Sequence, residues 1–446
     1  MQQYGHKGHS KAHRNTFSVA LTVSALCSTL CLVLNKEVLL VIRSHARTDV
    51  NRSAILARLG AHGPTSRADL ARALNVSPAL MTQLTKDLLS EGLLQELNHS
   101  PSQGGRPARM LGLVSSAGRA MGVKLVADHV AFVDVGIDGS VVRSANEPFD
   151  ASSSTFLADL TVLMRRFISG GGPAPLLGIG VAVPGSVDRQ GKGLVDSTQM
   201  GWHQVPLGST LQRELNLPVL VENNVNALTI AERLYGVGSL HENFLVVTIG
   251  TGIGAGIVVD GVVLRGSGGG AGEVGHIPVL HDGPLCSCGN YGCLESIISE
   301  AALVRTARER GVIGQVAGIA TLRSAADSGN AAATQIFSEA GHLLGRTLAG
   351  VVHTLDPEVV IVLGEGTLAW THWSYGFEPA FRSSLVPTRR GVAVAVETWQ
   401  DESWAQGAAA LVLATPYDAE DMAGDQGRMV RERLVEQATP QTGAER

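Results

Sequence analysis

The stretch from Glu273 to Glu295, EVGHIPVLHDGPLCSCGNYGCLE, constrains this chain more than any other. His276, Cys286, Cys288 and Cys293 place one nitrogen and three sulfurs in a single short segment. The chain has five cysteines, and the remaining ones, Cys27 and Cys31, lie in an apolar N-terminal stretch. Thiols crowded together in an otherwise cysteine-free body do not make a disulfide framework. They suit a tetrahedral Zn2+ with every position filled by protein. A closed shell leaves no place for an activated water, so the ion is expected to be structural. It would pin a loop rich in glycine (Gly283, Gly289, Gly292) that has little else to hold it. Free thiols also point to a reducing, cytoplasmic compartment. A reduced cysteine cluster without metal is the alternative.

At 446 residues the chain has room for two or three folded units. Its formal net charge is only −5, so any nucleic-acid contact must come from a local surface. Residues 1–48 form a distinct leader in which Lys7, Lys11 and Arg14 precede an apolar run from Phe17 to Leu34. That resembles a signal peptide or a marginal membrane span. It has no small-residue cleavage site, and no small residues before Cys27 or Cys31 that would suit a lipoprotein. The expectation is a start codon assigned too early, with the segment not made. A membrane anchor is the alternative, and no membrane contact is expected otherwise.

Residues 49–113 read as a winged helix-turn-helix. Ile55 and Leu59 sit one turn apart on a first helix. Ser66 with Asp69 opens a second, which carries Leu70 and Leu74. Asn75-Val76 makes the turn, Ser77 caps a third helix and Pro78 takes its first position. Leu80, Leu84 and Leu88 are expected to face the core, and Gly92 to stop the helix. Leu93 to Leu97 and Met110 to Leu113 read as strands around a polar loop, Asn98 to Arg109. Helix, helix-turn-helix and hairpin together outweigh the plainer reading of a small helical bundle. The exposed face of the third helix would then offer Ser77, Ala79, Thr82, Gln83 and Lys86 to DNA. Glutamine can pair bidentately with adenine, threonine can meet a thymine methyl, and lysine can reach phosphate or guanine. Arg106, in Gln103-Gly104-Gly105-Arg106-Pro107, reads as a minor-groove hook, with a plain interdomain linker as the alternative.

From residue 114 to 415 apolar, often β-branched runs alternate with helical segments, which predicts an α/β domain of two lobes. Strand-like runs include Gly122 to Val135, Leu176 to Val183, Phe244 to Ile249 and Val359 to Leu363. The tail, 416–446, is polar and charged and is expected to be loose.

Glu-x-Gly-His followed by Cys-x-Cys-Gly-x-x-Gly-Cys-Leu-Glu, at Glu273 to Glu295, resembles the signature of the ROK family of repressors, open reading frames and kinases. The resemblance covers about Asn51 to Leu413, and the winged helix points to the repressor branch. It implies a two-lobed, actin-like ATPase (ribonuclease H-like) body with a structural zinc on His276, Cys286, Cys288 and Cys293. It further implies that sugar hydroxyls are held at Asn223, Glu273, His276 and Glu295. Carboxylates and amides are the groups that pair with a ring of hydroxyls, and such a pocket rejects analogues lacking one. The implied partners are operator DNA, a small sugar effector, and further copies of the chain in a homodimer or homotetramer.

Departures from that family pattern separate regulator from kinase. Where kinases of the family carry Asp-x-Gly-Gly-Thr, this chain reads Lys124-Leu125-Val126-Ala127-Asp128. The glycines that let backbone approach phosphate are gone, and Asp128 is expected to set a negative charge where phosphate would sit. In Glu222-Asn223-Asn224-Val225-Asn226, Asn224 stands where the resemblance places the catalytic aspartate. An amide lacks the basicity to take a hydroxyl proton, yet it can still hydrogen-bond a hydroxyl. Thr248 to Gly256 keeps the form of a second phosphate loop, though such segments also serve as hairpins. Leu363-Gly364-Glu365-Gly366 replaces an expected glycine pair, and Gln199 precedes Gly201-Trp202 where the resemblance has asparagine. The sequence therefore predicts a sugar-responsive transcriptional regulator, acting as a repressor of carbohydrate genes, with no catalytic residues. An ATP-dependent hexose kinase and a membrane-tethered sugar sensor are the competing readings.

Overall fold

A computed structural model describes residues 51–59 except 53 and 57, 63–97, 109–188 except 115 and 116, 192–397, 401–415 and 424–438. The leader 1–48, Arg106 and its loop, and the ends of the tail lie outside the described residues.

The N-terminal unit is a winged helix built on local signals. Helix α1 (residues 51–59) precedes β1 (Thr65–Ser66), α2 (Arg67–Ala73), α3 (Pro78–Ser90), β2 (Leu94–Leu97) and β3 (Met110–Leu113). The strands form one sheet in the order β1-β3-β2. Ser66 Oγ accepts the Asp69 N–H at 3.2 Å and donates to its carboxylate at 2.7 Å. That satisfies an otherwise orphaned donor at the start of α2. Asn75 turns the chain in the left-handed region at φ 50°, and Gly92 ends α3 at φ 70°. The core faces of α1, α2 and α3 meet through Ile55, Leu59, Leu70, Met81, Leu84 and Leu88, all buried. One expectation fails: Leu80 is 37% exposed, and Met81 with Thr85 takes its place inside. Spacing of i, i+3 and i+7 from Met81 keeps one face, whereas i, i+4 and i+8 from Leu80 drifts around the helix.

The body holds two five-stranded sheets of identical order. The first contains β4 (Arg119–Leu125), β5 (His129–Gly136), β6 (Val141–Pro148), β7 (Leu176–Val183) and β11 (Val219–Asn223). Its order is β6-β5-β4-β7-β11, with β4, β5 and β6 antiparallel and β7 and β11 parallel to β4. The second runs β14 (Val262–Val263), β13 (Ile253–Val259), β12 (Phe244–Ile249), β15 (Val359–Leu363) and β16 (Ala393–Val396) in the same pattern. This is the expected two-lobed body. The run expected from Gly122 to Val135 is two strands of a hairpin. A small sheet of β8 (Ser186–Val187), β9 (Leu194–Ser197) and β10 (Trp202–Pro206) extends the first lobe. Helices α4 (Phe156–Ser169) and α5 (Leu207–Leu215) cover one face of it. Helices α7 (Leu294–Ile298), α8 (Glu300–Glu309), α9 (Ile319–Asp327), α10 (Ala331–Leu355) and α11 (Trp370–Ser384) belong to the second lobe.

Two helices join the lobes. α12 (Asp401–Ala414) lies on β4, β5 and β7 and packs along α6 (Asn224–Tyr235), which in turn packs on β13. A Cβ on Gly122 would stand 1.9 Å from Ala405 O, and one on Gly180 1.8 Å from Ala408 O. Only glycine at these strand positions lets the α12 backbone come this near. The expected loose tail is in part ordered: residues 424–438 form α13 (Gly424–Ala438), docked on β7 and β11. Val430 is fully buried there, Gln426 Oε1 accepts the Val219 N–H at 3.0 Å, and Arg433 donates to Leu176 O. A mostly polar helix can dock through few anchors when they serve backbone groups such as that of Val219 on the edge strand β11.

Candidate ligand cleft and metal centre

The metal loop is assembled from both ends. A 3-10 turn, Val274–His276, presents His276, and Cys293 directly precedes α7. Short bridges pair Pro278 with Cys293 and Leu285 with Tyr291, which folds the intervening segment back on itself. Gly292 sits at φ 68°, and a Cβ there would lie 1.7 Å from Leu280 O, so the hairpin closes only around glycine. His276 Nδ1 is 3.4 Å from Cys286 Sγ, and Cys288 Sγ is 3.7 Å from Cys293 Sγ. All four ligand atoms lie within 4.8 Å of one another. Ligands about 2.0–2.3 Å from a tetrahedral ion stand roughly 3.3–3.8 Å apart, so this donor set fits such an ion with little contraction. Burial and the neighbouring sulfurs push the Cys293 thiol up to about 12. A hydrogen bond from the Asn290 backbone lowers Cys288. A cation is the group that would offset this crowding of sulfur.

Beside this loop a cleft of about 220 Å³ runs between the lobes. Its size suits a small polar ligand. Asn223, Asn224, Glu273, His276 and Glu295 all line it, together with Gln199. The structure therefore brings every expected ligand-binding residue to one cavity. Their surroundings differ. Glu295, in the first turn of α7, accepts the Ile253 N–H at 3.0 Å and the Ser287 hydroxyl at 3.2 Å. Glu273 is more open, its side chain 53% exposed and 3.7 Å from His276 Nε2. Asn223 is the N-cap of α6: Oδ1 accepts from Val225 and Asn226, and Nδ2 donates to Gly185 O at 2.7 Å. Its amide is thus largely spent on holding the wall in place. Asn224 follows at the first helical position, where no carboxylate stands to act as a base.

The phosphate-loop departures take an unexpected form. Asp128 does not line the cleft; its side chain is 85% exposed and pairs with His129, which holds its carboxyl below the usual range. The expected charge block at Asp128 is therefore absent, because the β4–β5 turn points it outward. Lys124 and Glu365 occupy the cleft instead, with Lys124 Nζ 4.0 Å from Glu365 Oε1. Trp404 Nε1 donates to that same oxygen at 2.8 Å. Sequence reasoning noted Lys124 and Glu365 as departures but missed Trp404, since no local pattern ties α12 to the cleft. The second glycine loop is the tip of the β12–β13 hairpin, where Thr248 pairs with Gly254 and Ile249 with Ile253.

On the winged helix, Ser77, Thr82, Gln83 and Lys86 are exposed on or beside α3. Ser77 Oγ accepts the Leu80 N–H, Thr82 Oγ1 donates to Pro78 O, and Gln83 Nε2 donates to Asp87 Oδ1 at 2.9 Å. Such internal bonds pre-set the side chains on one face. Arg67, at the start of α2, and Arg109, just before β3, both pair with Glu96 of the wing strand β2 and lower its carboxyl.

Comparison with known proteins decides the family. The ROK family model matches residues 156–415, and a MarR family model matches residues 50–100. The chain belongs to the ROK family. The xylose repressor of Bacillus subtilis is 30% identical over 316 residues, which is 70% of this chain and 81% of that protein. The DNA-binding transcriptional dual regulator NagC of Escherichia coli is 27% identical over 373 residues, 81% of this chain and 92% of that one. A crystal structure of a ROK family transcriptional regulator, a homologue of the E. coli MLC protein, superposes with a TM-score of 0.68. It is 25% identical and covers 88% of this chain and all of that one. A ROK family glucokinase from Streptomyces griseus, in complex with glucose and AMPPNP, gives a TM-score of 0.59 at 28% identity. It covers 66% of this chain and 99% of that one. These matches agree with the winged helix and the twice-built sheet, which the glucokinase shares only over the body. Among the described residues no helix is long and apolar enough to cross a membrane.

Proposed function

We propose that this ROK-family chain is a sugar-responsive repressor of carbohydrate genes that does not phosphorylate its sugar. The observation that carries the reading is the joining of an exposed recognition helix to a ligand cleft whose base position holds Asn224. Glu273 and Glu295 accept hydrogen bonds from sugar hydroxyls, Asn224 adds an amide, and His276 offers Nε2 while its Nδ1 faces the cysteines. Asn224 can orient a hydroxyl but cannot remove its proton. Zn2+ on His276, Cys286, Cys288 and Cys293 would hold the loop that carries Glu273 and Glu295 at its ends. The ion serves position, since four protein ligands leave no site for substrate.

Ser77, Thr82, Gln83 and Lys86 meet the major groove and Arg106 the adjacent minor groove of operator DNA. Two winged helices in a symmetric homodimer or homotetramer read two half-sites, and lobe movement on sugar binding alters their spacing. The test is a gel shift with DNA upstream of the gene and its neighbours, run with and without a panel of free pentoses and hexoses. A shift that one sugar relieves or strengthens is expected; DNA binding indifferent to every sugar would sink the reading. The intact β12–β13 hairpin and the likeness to a glucokinase favour a second reading, a hexose kinase. ATP-dependent turnover in a coupled assay would establish it.

A further inference from the structure

We propose that Glu365, Trp404 and Lys124 form a latch across the cleft that sets how far the lobes stand open in the free protein. The three residues come from three elements. Lys124 lies on β4 and Trp404 on the first turn of α12, both belonging to the first lobe. Glu365 opens the 3-10 turn that follows β15 and Gly364 in the second lobe. One carboxylate oxygen, Oε1, accepts the Trp404 indole N–H at 2.8 Å and lies 4.0 Å from the Lys124 ammonium. The ammonium in turn sits 5.1 Å from the centre of the Trp404 ring, within range of a cation–π contact. The triangle is closed on every side.

Its second-lobe half is held firmly. The other oxygen of Glu365 stands 2.6 Å from where a Cβ on Gly250 would be, so the carboxylate is seated against the hairpin tip. Gly250 O accepts the Glu300 N–H at 2.9 Å, which fixes the tip on α8. Trp404, only 6% exposed, is equally set in the first lobe. A second tie between the lobes, Arg265 to Glu222 at 2.6 Å, has side chains 16% and 3% exposed. A buried pair of that kind is costly to break and suits a permanent joint. Glu365 is 36% exposed, so water can replace its partners as the lobes part. Of these two ties the labile one is at Glu365, and it couples α12 to the end of β15, where Glu365 rests against the tip of the β12–β13 hairpin.

This inference concerns the free protein and stands apart from the identity of the ligand. The test is hydrogen exchange on the full chain, followed in peptides covering residues 248–256 and 364–370, with a radius of gyration from solution scattering. Glu365→Ala and Trp404→Phe each remove the charge-assisted bond. They are expected to speed exchange in both peptides about tenfold and to enlarge the particle. Glu365→Gln keeps an acceptor for the indole and should fall between. Lys124→Met, which keeps the stem over the ring but removes the charge, should also be intermediate, and it carries the test should Trp404→Phe not fold. Wild-type exchange in Glu365→Ala, at an unchanged melting temperature, would overturn the latch. So would faster exchange spread evenly over the body. A protein that binds no sugar at all but shows the local acceleration keeps the latch and loses the sugar reading.

Discussion

Glu295 Oε2 accepts the backbone N–H of Ile253 at 3.0 Å, tying the metal loop to the glycine hairpin of the second lobe. Glu273, at the other end of the same loop, makes only the looser approach to His276. The two carboxylates should therefore respond differently to removal. Glu273→Ala is expected to weaken sugar binding by about 1.5–3 kcal/mol, with melting temperature and sugar-free operator binding near normal. Glu295→Ala should lower both sugar affinity and melting temperature, because it also strands an amide. Calorimetry and thermal melts on the two variants check this, and equal melting behaviour would refute the distinction.

Metal analysis of the purified chain should find close to one zinc per chain. Cys288→Ser should lower that content and reduce the thermal stability of the body, since structural zinc contributes folding energy directly. Full stability after exhaustive chelation would defeat the structural assignment.

Asn224→Asp restores a carboxylate at the base position, yet it should not restore phosphoryl transfer. Lys124, Glu365 and Trp404 line the same cleft and are engaged with one another, where the family's kinases keep a glycine-rich phosphate loop. A coupled assay with ATP and free hexoses is expected to stay at background for wild type and variant alike.

Buried Glu232 is raised to about 8, first by burial and then by the nearby Glu397. The folded protein therefore holds a proton that the unfolded chain releases near the ordinary carboxyl value of about 4.3. Folded binds more protons than unfolded across that window, so this group's stabilising share is full below it and lost as pH rises towards 8. Glu232→Gln should flatten that slope and raise the melting temperature most at pH 8 and above. Parallel melting curves from pH 5 to 9 for both proteins would disprove it.

On the DNA side, Lys86→Ala should weaken operator and random DNA alike and reduce the salt slope by about one. Gln83→Ala should cost roughly 1–3 kcal/mol on the operator and little elsewhere. Competition gel shifts at two salt concentrations separate the two effects.

Features written locally were legible in the sequence. Ser66, Ser77, Asn75 and Gly92 shape the winged helix within four residues of themselves, and the ligands of the metal loop fall in one segment. The five residues expected to hold a ligand were reachable through family resemblance, and one cleft gathers them. What was not legible depends on long-range geometry. The duplicated sheet order leaves no sequence repeat, because buried strands share a hydrophobic character without sharing residues. Helix α13 reads as a solvated tail because its docking rests on scattered contacts, among them those of Gln426, Val430 and Arg433, that form no apolar stripe. The direction of Asp128 was set by a turn, and the partner of Glu365 by a helix placed 39 residues further on.

The glycines beneath α12 bear on which parts of this protein are free to diverge. No side chain lies between Ala405 or Ala408 and the strands below, so the joint has no rotamers with which to absorb a substitution. Gly122 and Gly180 should therefore tolerate nothing larger, in contrast to the positions whose side chains line the open cleft. Helix and sheet must also travel as one piece. The contact of α12 with α6 is also close at Gly407, whose added Cβ would stand 3.1 Å from the Leu228 backbone. A lineage could change the lining of its cleft many times over while inheriting this close seating of helix on strand unchanged.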